Sequence, residues 1–289
     1  MPSIILGTGA SEAIPCIYCQ CQICENARNL GGKDIRTRSD FLINETSIID
    51  FSPDLFLQSQ KNGITLRKLK NIFITHFHDD HVNVYEMAVR GSGRPKLESL
   101  VNIYGSPQAL KHIAKVMSLL KDHTNKNPTN FFSKHSLIPL EPYCEVSIDD
   151  LKVTPILSSH YGYGINEIGY NYLITDGDNL TFLYAVDTGW YQDETWEFLK
   201  NLNKQLDYAV MECTYGDQFL PPYQEGHFNF TNLIEAIKKM ASIGLITKAT
   251  PIYLTHICHL HSKTHTETEN MLKDSEWNIK VAYDGMIVG

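Results

Sequence analysis

The sequence has no long apolar run, no basic stripe and no recognisable leader segment. No apolar stretch approaches the ~20 residues of a membrane-spanning helix, so no membrane span is predicted. The few basic clusters, such as residues 67–70, are short, and a net charge of −8 disfavours a protein that follows a long nucleic-acid backbone. Residues 1–7 contain neither a basic segment nor a long apolar segment, which predicts a cytoplasmic protein without a signal peptide.

Internal repeats and linkers are also lacking. The 289 residues are 43% hydrophobic and 20% charged, which is enough to bury a large core. Because α/β folds of this length commonly form one domain, we predict a single domain over residues 1–289.

The most informative segment runs from Thr75 to His81, directly after a strand-like apolar run. It holds five candidate metal ligands in seven residues. Imidazole and carboxylate groups bind zinc, manganese or iron, and a catalytic site keeps one position open for water. His76 and His78 are two residues apart and can point to one side, whereas Asp80 and His81 can turn to a second ion. The alternative is a polar surface loop.

Three later strand-like runs each end in one ligand-type residue. His160 follows a run beginning at Leu151, Asp187 follows the run 182–186, and His256 follows the run 251–255. A rigid sheet can position ligands in this way, which favours a metal site over a surface loop.

In sequence order, Asp50, the 75–81 segment, His160, Asp187 and His256 resemble the metallo-β-lactamase superfamily over essentially the whole chain. That resemblance implies a metal-dependent hydrolase in which Asp80 is a catalytic residue as well as a metal ligand. It also implies that Asp50 contacts a metal ligand on the side away from the metal and orients it. It implies two divalent ions, zinc or manganese, whose ligands form two sets and a bridge: His76, His78 and His160; Asp80, His81 and His256; and Asp187 between them.

The secondary structure predicted from the sequence forms two halves of similar make-up. This pattern, together with the resemblance, predicts an α/β fold of the metallo-β-lactamase type: an αββα sandwich of two mixed sheets flanked by helices, with the metals along one edge. We predict strands at 3–8, 41–44, 46–51, 71–75, 101–104, 136–140, 144–148, 151–157, 169–175, 180–186, 207–212 and 251–255, helices at 54–62, 107–121, 192–202, 231–243 and 264–273, and a loop at 122–134.

Four cysteines, Cys16, Cys19, Cys21 and Cys24, lie within nine residues. Disulfides are one explanation, but in a reducing cytosol such a cluster favours zinc. Structural zinc takes four ligands, and either four thiolates or three thiolates and one imidazole suffice. The spacing alone leaves both sets open, together with a cluster that holds no metal.

The Gly7-Thr8-Gly9 segment followed by C-x-C-x-x-C resembles the PhnP-type phosphodiesterases of the carbon–phosphorus lyase pathway and the related PqqB proteins. The PhnP-type resemblance implies a structural zinc in an N-terminal cysteine-rich loop of about residues 15–35. Its ligands would be Cys19, Cys21, Cys24 and His259, the last three residues after His256. Cys16 is then left over, and a set with Cys16 as the fourth ligand is the rival.

The segment around His227 also resembles superfamily phosphodiesterases, in which a histidine outside the metal shell faces the scissile phosphate. His227 would stabilise the developing charge and protonate the leaving oxygen, because imidazole titrates in the working range. The alternative is that His227 caps a helix beginning near Thr231. Five further histidines lack such a context and are predicted at the surface: His112, His123, His135, His261 and His265.

The PhnP-type resemblance implies hydrolysis of a small cyclic phosphodiester, such as 5-phosphoribosyl 1,2-cyclic phosphate, by a hydroxide that two metal ions make available near neutral pH. No residue by itself identifies this substrate or a role in phosphonate metabolism. The alternatives are an oligonucleotide- or tRNA-processing nuclease, a PqqB-like oxygen-using biosynthetic enzyme and a metal-dependent binding protein. A homodimer is left open.

Overall fold

Two seven-stranded sheets form the centre of the structure, a computed structural model that describes residues 2–91, 100–124, 133–162 and 167–289. The first sheet has the order β14 (Met286–Val288), β1 (Ser3–Gly7), β2 (Asp40–Asn44), β3 (Ser47–Ile49), β4 (Asn71–Phe73), β5 (Val101–Gly105) and β6 (His135–Pro139). The second has the order β13 (Ile279–Val281), β12 (Ile252–Thr255), β11 (Tyr208–Glu212), β10 (Thr181–Ala185), β9 (Ile168–Thr175), β8 (Leu151–Tyr161) and β7 (Val146–Ile148).

Both sheets are mixed, and their parallel strands point to a common edge. Strands β3 to β6 are parallel to one another, and so are β10 to β13. Because β8 and β10 both pair antiparallel with β9, they run in the same direction. Side chains that follow the carboxyl ends of these strands therefore meet at one edge, where open α/β sheets commonly bind ligands.

Helices cover the outer faces of both sheets. They are α1 (Gln22–Leu30), α2 (Leu55–Asn62), α3 (Val84–Gly91), α4 (Pro107–Thr124), α5 (Asp193–Asn201), α6 (Phe230–Ser242) and α7 (His265–Leu272). Helix α4 begins with proline at its first position, and Ser106 Oγ accepts a hydrogen bond from the Ala109 amide at 3.1 Å. Among the described helices, none combines the length and apolarity needed to cross a bilayer.

Successive side chains along each strand point to opposite faces of the sheet, and they build three apolar layers. In β1, Ile4 and Leu6 join a cluster with the helices α3 and α4, whereas Ile5 faces the space between the sheets. In β10, Phe182 faces the same space and Leu183 packs with helices α5 and α6. Strands covered on both faces account for the near-continuous apolar runs of the sequence. The predicted αββα sandwich is confirmed.

Several local predictions were wrong. Helix α1 and a 3-10 turn at Gly32–Asp34 occupy much of the predicted cysteine-rich loop, and α3, β13 and β14 were not predicted. Helix α4 continues to Thr124 into the predicted loop 122–134, of which residues 125–132 lie outside the described residues. His135 and His265 are buried rather than at the surface, whereas the side chain of His112 is 34% exposed.

Candidate metal centre

Three polar residues just beyond strand ends at the shared edge of the two sheets adopt the left-handed backbone conformation. Asp50 after β3, Asp187 after β10 and His256 after β12 have φ values of 64°, 53° and 54°. This conformation costs about 1–3 kcal/mol for a residue other than glycine and is retained where the surroundings enforce it. All three side chains are buried and turn into the edge shared by the two sheets.

The first predicted ligand set is assembled. His76 Nε2 lies 2.8 Å and His160 Nε2 lies 3.4 Å from His78 Nδ1. Nitrogens bound to one tetrahedral zinc at about 2.0–2.1 Å would be separated by about 3.3–3.4 Å. The three imidazoles therefore face a common point; the His160 pair has this spacing, whereas the His76 pair is about 0.5 Å closer.

The second set and the bridging carboxylate lie beside the first. His81 Nε2 is 3.2 Å from Asp80 Oδ2 and 2.6 Å from Asp187 Oδ2. His256 Nε2 is 3.7 Å and 3.2 Å from the same two oxygens. Asp187 also forms a metal-sized cluster with His76 and His81, which connects the two sets. Asp79, the remaining carboxylate of the 75–81 segment, is exposed.

The donor atoms themselves provide a test of whether metal ions fit. His81 Nε2 and His256 Nε2 lie 2.6 Å and 3.2 Å from Asp187 Oδ2 and all three atoms are buried, yet none of them forms a hydrogen bond of normal geometry among the described residues. Buried polar atoms without a partner are costly, so such a group needs an explanation. A mixed imidazole and carboxylate set is suited to zinc, manganese or iron, so the residues present fit divalent metal ions.

Polar groups behind the imidazoles fix their orientation. Asp50 accepts a hydrogen bond from His81 Nδ1 at 2.7 Å and from the Thr75 amide at 2.8 Å. Thr214 Oγ1 lies 2.8 Å from His256 Nδ1. Partners of this kind turn the opposite ring nitrogen, Nε2, toward the metal position. The expectation that Asp50 orients a ligand thus agrees with its position, whereas Thr214 was not predicted.

The charges in the cluster suit cation binding. Burial alone would raise the pKa of Asp80, but His81 and His256 hold that pKa well below its ordinary value. The same imidazoles act on Asp187, whose pKa is also held well below its ordinary value despite burial. Burial lowers the pKa of His76, which favours the neutral, metal-binding form of its ring. Both carboxylates are therefore held in the ionised form that a cation would bind.

His227 lies next to the ligand sets and is held by a glutamate that sequence reasoning missed. Its ring centroid is 4.6 Å from that of His160, and its Nδ1 lies 2.8 Å from Glu212 Oε1. Burial opposes protonation of His227, but Glu212 outweighs it and raises the pKa to about 9. Asn229, not His227, caps helix α6 by accepting a hydrogen bond from the Asn232 amide at 2.8 Å.

Glu212 is fully buried and connects several parts of the site. Its carboxylate accepts hydrogen bonds from the amides of Thr188 at 3.0 Å, Thr214 at 2.8 Å and Phe228 at 3.2 Å, in addition to its contact with His227. Thr188 follows Asp187, and Phe228 follows His227. The available sequence signal was an acidic residue at the end of the apolar run 207–212, the pattern already recognised for Asp187.

The cysteine cluster is assembled with His259. One ligand atom from each of Cys19, Cys21, Cys24 and His259 lies within 4.8 Å of the others, and Cys21 Sγ is 3.4 Å from His259 Nδ1. Cys16 contributes its backbone instead, donating its amide to Cys24 Sγ at 3.3 Å. All four cysteines are free. Three thiols and one imidazole fit a tetrahedral zinc ion.

Cys21 directly precedes helix α1, and its surroundings favour the thiolate form. Burial would raise the pKa of its thiol, but the Cys24 amide and His259 lower it to about 6. Helix N-termini and neighbouring cationic or donor groups are known to activate thiols in this way.

We expect Cys21→Ser to lose one zinc ion per chain and to lower the melting temperature, because structural zinc contributes folding free energy directly. Elemental analysis should find about three ions in the wild-type chain and about two in the variant after reloading. Exposed Cys144 offers the matched control, since Cys144→Ser should change neither value. A Cys21→Ser protein that kept its melting temperature and three ions would contradict this zinc site.

The αββα fold and this ligand-rich edge define the class of a metal-dependent hydrolase. The sequence profile of the Beta-lactamase superfamily domain matches residues 46–257, so the chain belongs to that family. A diphosphatase from the PhnP family is 21% identical, with a TM-score of 0.72 covering 100% of this chain and 97% of that one. Zinc-bound PqqB from Methylobacterium extorquens is 17% identical, with a TM-score of 0.71 and full coverage of both chains. Both structures share the fold.

Two relatives match by sequence over shorter stretches. An octanoyltransferase of Porphyromonas gingivalis is 28% identical over 183 residues, which are 59% of this chain and 34% of that protein. A ribonuclease Z of Picrophilus torridus is 27% identical over 136 residues, 47% of this chain and 40% of that one. The matches thus span about a third and two fifths of these relatives.

Proposed function

We propose that this chain hydrolyses a small phosphodiester, and a cyclic ribose phosphate in particular. The observation that carries the proposal is the position of His227. Its ring lies 4.6 Å from that of His160 and 6.1 Å from that of His256 between centroids, and Glu212 fixes it without making it a member of either ligand set. A hydrolase acting on a phosphodiester needs a proton donor for the departing oxygen, and a positioned histidine is the usual choice.

The ligand sets would hold the two ions as follows: His76, His78 and His160 for one, Asp80, His81 and His256 for the other, and Asp187 between them. When bound, two such ions provide hydroxide near neutral pH and neutralise charge on phosphoryl oxygens. His227 would act on the leaving oxygen. Because Glu212 holds Nδ1 at 2.8 Å, Nε2 is the nitrogen left to donate a proton.

A small substrate is favoured over a long nucleic acid by the net charge of −8 and the lack of a basic stripe. The resemblance to PhnP-type enzymes favours the 1,2-cyclic phosphate of a phosphorylated ribose. A PqqB-like oxygen-using role, which goes with an incomplete metal pair, is disfavoured because every ligand position of the two sets carries a metal-binding side chain. The cytoplasmic location and the single domain remain predictions, and a homodimer remains open.

A second candidate, an RNA-processing nuclease, is favoured by the sequence match to ribonuclease Z. It would act with the same ligand sets and His227, so substrate size separates the two candidates.

The test is a panel of substrates offered to protein loaded with zinc or manganese. It contains a cyclic ribose phosphodiester, bis(p-nitrophenyl) phosphate, a diphosphate diester, a tRNA precursor and an octanoyl thioester, the last because of the octanoyltransferase relative. We expect the highest kcat/KM for the cyclic phosphodiester. Preferred cleavage of the tRNA precursor would favour the nuclease, and turnover of the thioester alone would overturn phosphodiester chemistry.

A further inference from the structure

A buried carboxylate outside both ligand sets, Glu167, lies against the backbone of the metal loop. The side chain of Glu167 is 1% exposed, and its Oε1 accepts a hydrogen bond from the Phe77 amide at 2.6 Å. Phe77 stands between His76 and His78 in the sequence, so this contact acts on the peptide that joins two ligands. An acidic group buried this deeply is rare unless it has a specific partner.

The same glutamate belongs to the hairpin that carries His160. The Gly162 amide donates to the Glu167 carbonyl oxygen at 2.8 Å, which closes the end of the hairpin after β8. A Cβ atom at Gly162 would lie 2.5 Å from the Glu167 carboxyl carbon, so the glycine backbone packs directly on the carboxylate. Glu167 is therefore enclosed between the hairpin and the metal loop.

His112 on helix α4 supports the arrangement from the other side. Its ring stacks on the Phe77 ring with centroids 5.2 Å apart and planes 16° apart. Its Nε2 lies 3.8 Å from Glu167 Oε2, an oxygen with no hydrogen-bond partner among the described residues. One carboxylate thus contacts the backbone of Phe77, while the imidazole of His112 packs on the Phe77 side chain.

We propose that Glu167 is a positioning residue for one of the two metal sites. By holding the Phe77 amide it fixes the angle between His76 and His78, and by joining the loop to the hairpin it brings His160 to them. The inference rests on the metal assignment of the proposed function, but it does not depend on the substrate.

The effect should be confined to the first ligand set. The imidazoles of the second set are oriented by other groups, Asp50 behind His81 and Thr214 behind His256. Loss of a polar partner behind metal ligands typically costs about 10–100-fold in metal affinity. Loss of Glu167 should therefore lower the affinity for one ion and not for its neighbour. General destabilisation of the fold would lower both affinities.

The test is a zinc titration of metal-free protein against a competing chelator, with Glu167→Ala, Glu167→Gln and the exposed control Glu145→Ala. We expect Glu167→Ala to lower the affinity for one active-site ion by about 10–100-fold. The affinities for the other active-site ion and at the cysteine site should not change. Glu167→Gln keeps an oxygen for the Phe77 amide and should regain most of the affinity. The control should match the wild type.

A second readout needs no metal. Hydrogen exchange at the Phe77 amide of the metal-free protein should accelerate in Glu167→Ala and return toward the wild-type rate in Glu167→Gln. Gly162→Ala, which displaces the carboxylate while retaining Glu167, should also lower the affinity for one ion. It gives an independent test if Glu167→Ala does not fold. Equal losses at both ions, or no loss in either variant, would overturn the inference. A wild-type chain with fewer than two active-site ions would instead overturn the proposed function.

Discussion

Asp187→Ala is expected to remove the active-site ions and to reduce turnover of every substrate to background. The Asp187 carboxylate lies 2.6 Å from His81 Nε2 and 3.2 Å from His256 Nε2, and it also clusters with His76. Asp187 therefore contacts both ligand sets with a negatively charged group. Its loss leaves imidazoles facing one another without the charge that balances two cations. Elemental analysis and steady-state rates on an activated and an unactivated diester measure the effect.

Asp187→Asn is the matched variant, because it keeps the size of the side chain and removes the charge. It should bind metal better than alanine and worse than aspartate. The zinc at the cysteine cluster should remain in both variants, since its four ligands come from other residues. If Asp187→Ala retained both active-site ions, the bridging assignment would be wrong.

His227→Ala should keep both ions and lose roughly 10²–10⁴-fold in rate, the usual contribution of a positioned acid or base. The physical reason is that His227 lies outside the ligand sets and is tied to Glu212 rather than to a metal position. The loss should shrink for p-nitrophenyl esters, because p-nitrophenolate departs without a proton. Rates on an activated diester and on an unactivated cyclic ribose phosphate give the comparison, and equal losses on the two would rule out leaving-group protonation.

Asn229→Ala provides the complementary control for His227. Asn229 caps helix α6, so its loss should cost about 0.5–2 kcal/mol of stability and leave the ratio of the two rates unchanged. His227→Ala should change that ratio and leave the helix cap intact. The pair of variants thereby separates a catalytic role for His227 from the helix-capping role considered for it.

Residues that end strands were the part of the site that the sequence could reveal. His160, Asp187 and His256 each follow an apolar run, and parallel strands carry such residues to one edge of the sheet. The cysteine site was harder, because spacing alone left Cys16 and His259 as rivals. The fold favours the set with His259, because it places His259 beside Cys21, 238 residues away in the sequence.

The partners of the buried carboxylates were the part of the site that the sequence could not reveal. Glu212 contacts His227 across 15 residues, and Glu167 contacts Phe77 across 90 residues. Neither pair has a local pattern, since each contact exists only after the strands have assembled. The short strands β13 and β14, of three residues each, were missed for a related reason: pairing with neighbouring strands, rather than local propensity, defines them.

The left-handed conformation of Asp50, Asp187 and His256 would make the lifetime of the protein depend on metal supply. Each such residue costs about 1–3 kcal/mol, and the metal-free chain has no binding energy to offset that cost. A ligand that binds only the folded state stabilises it by about 2.7 kcal/mol at 100 times its Kd. The melting temperature should therefore rise with free zinc or manganese. In a metal-starved cell, a larger share of these chains would unfold transiently and be exposed to proteases, so enzyme abundance would follow metal availability without a dedicated regulator.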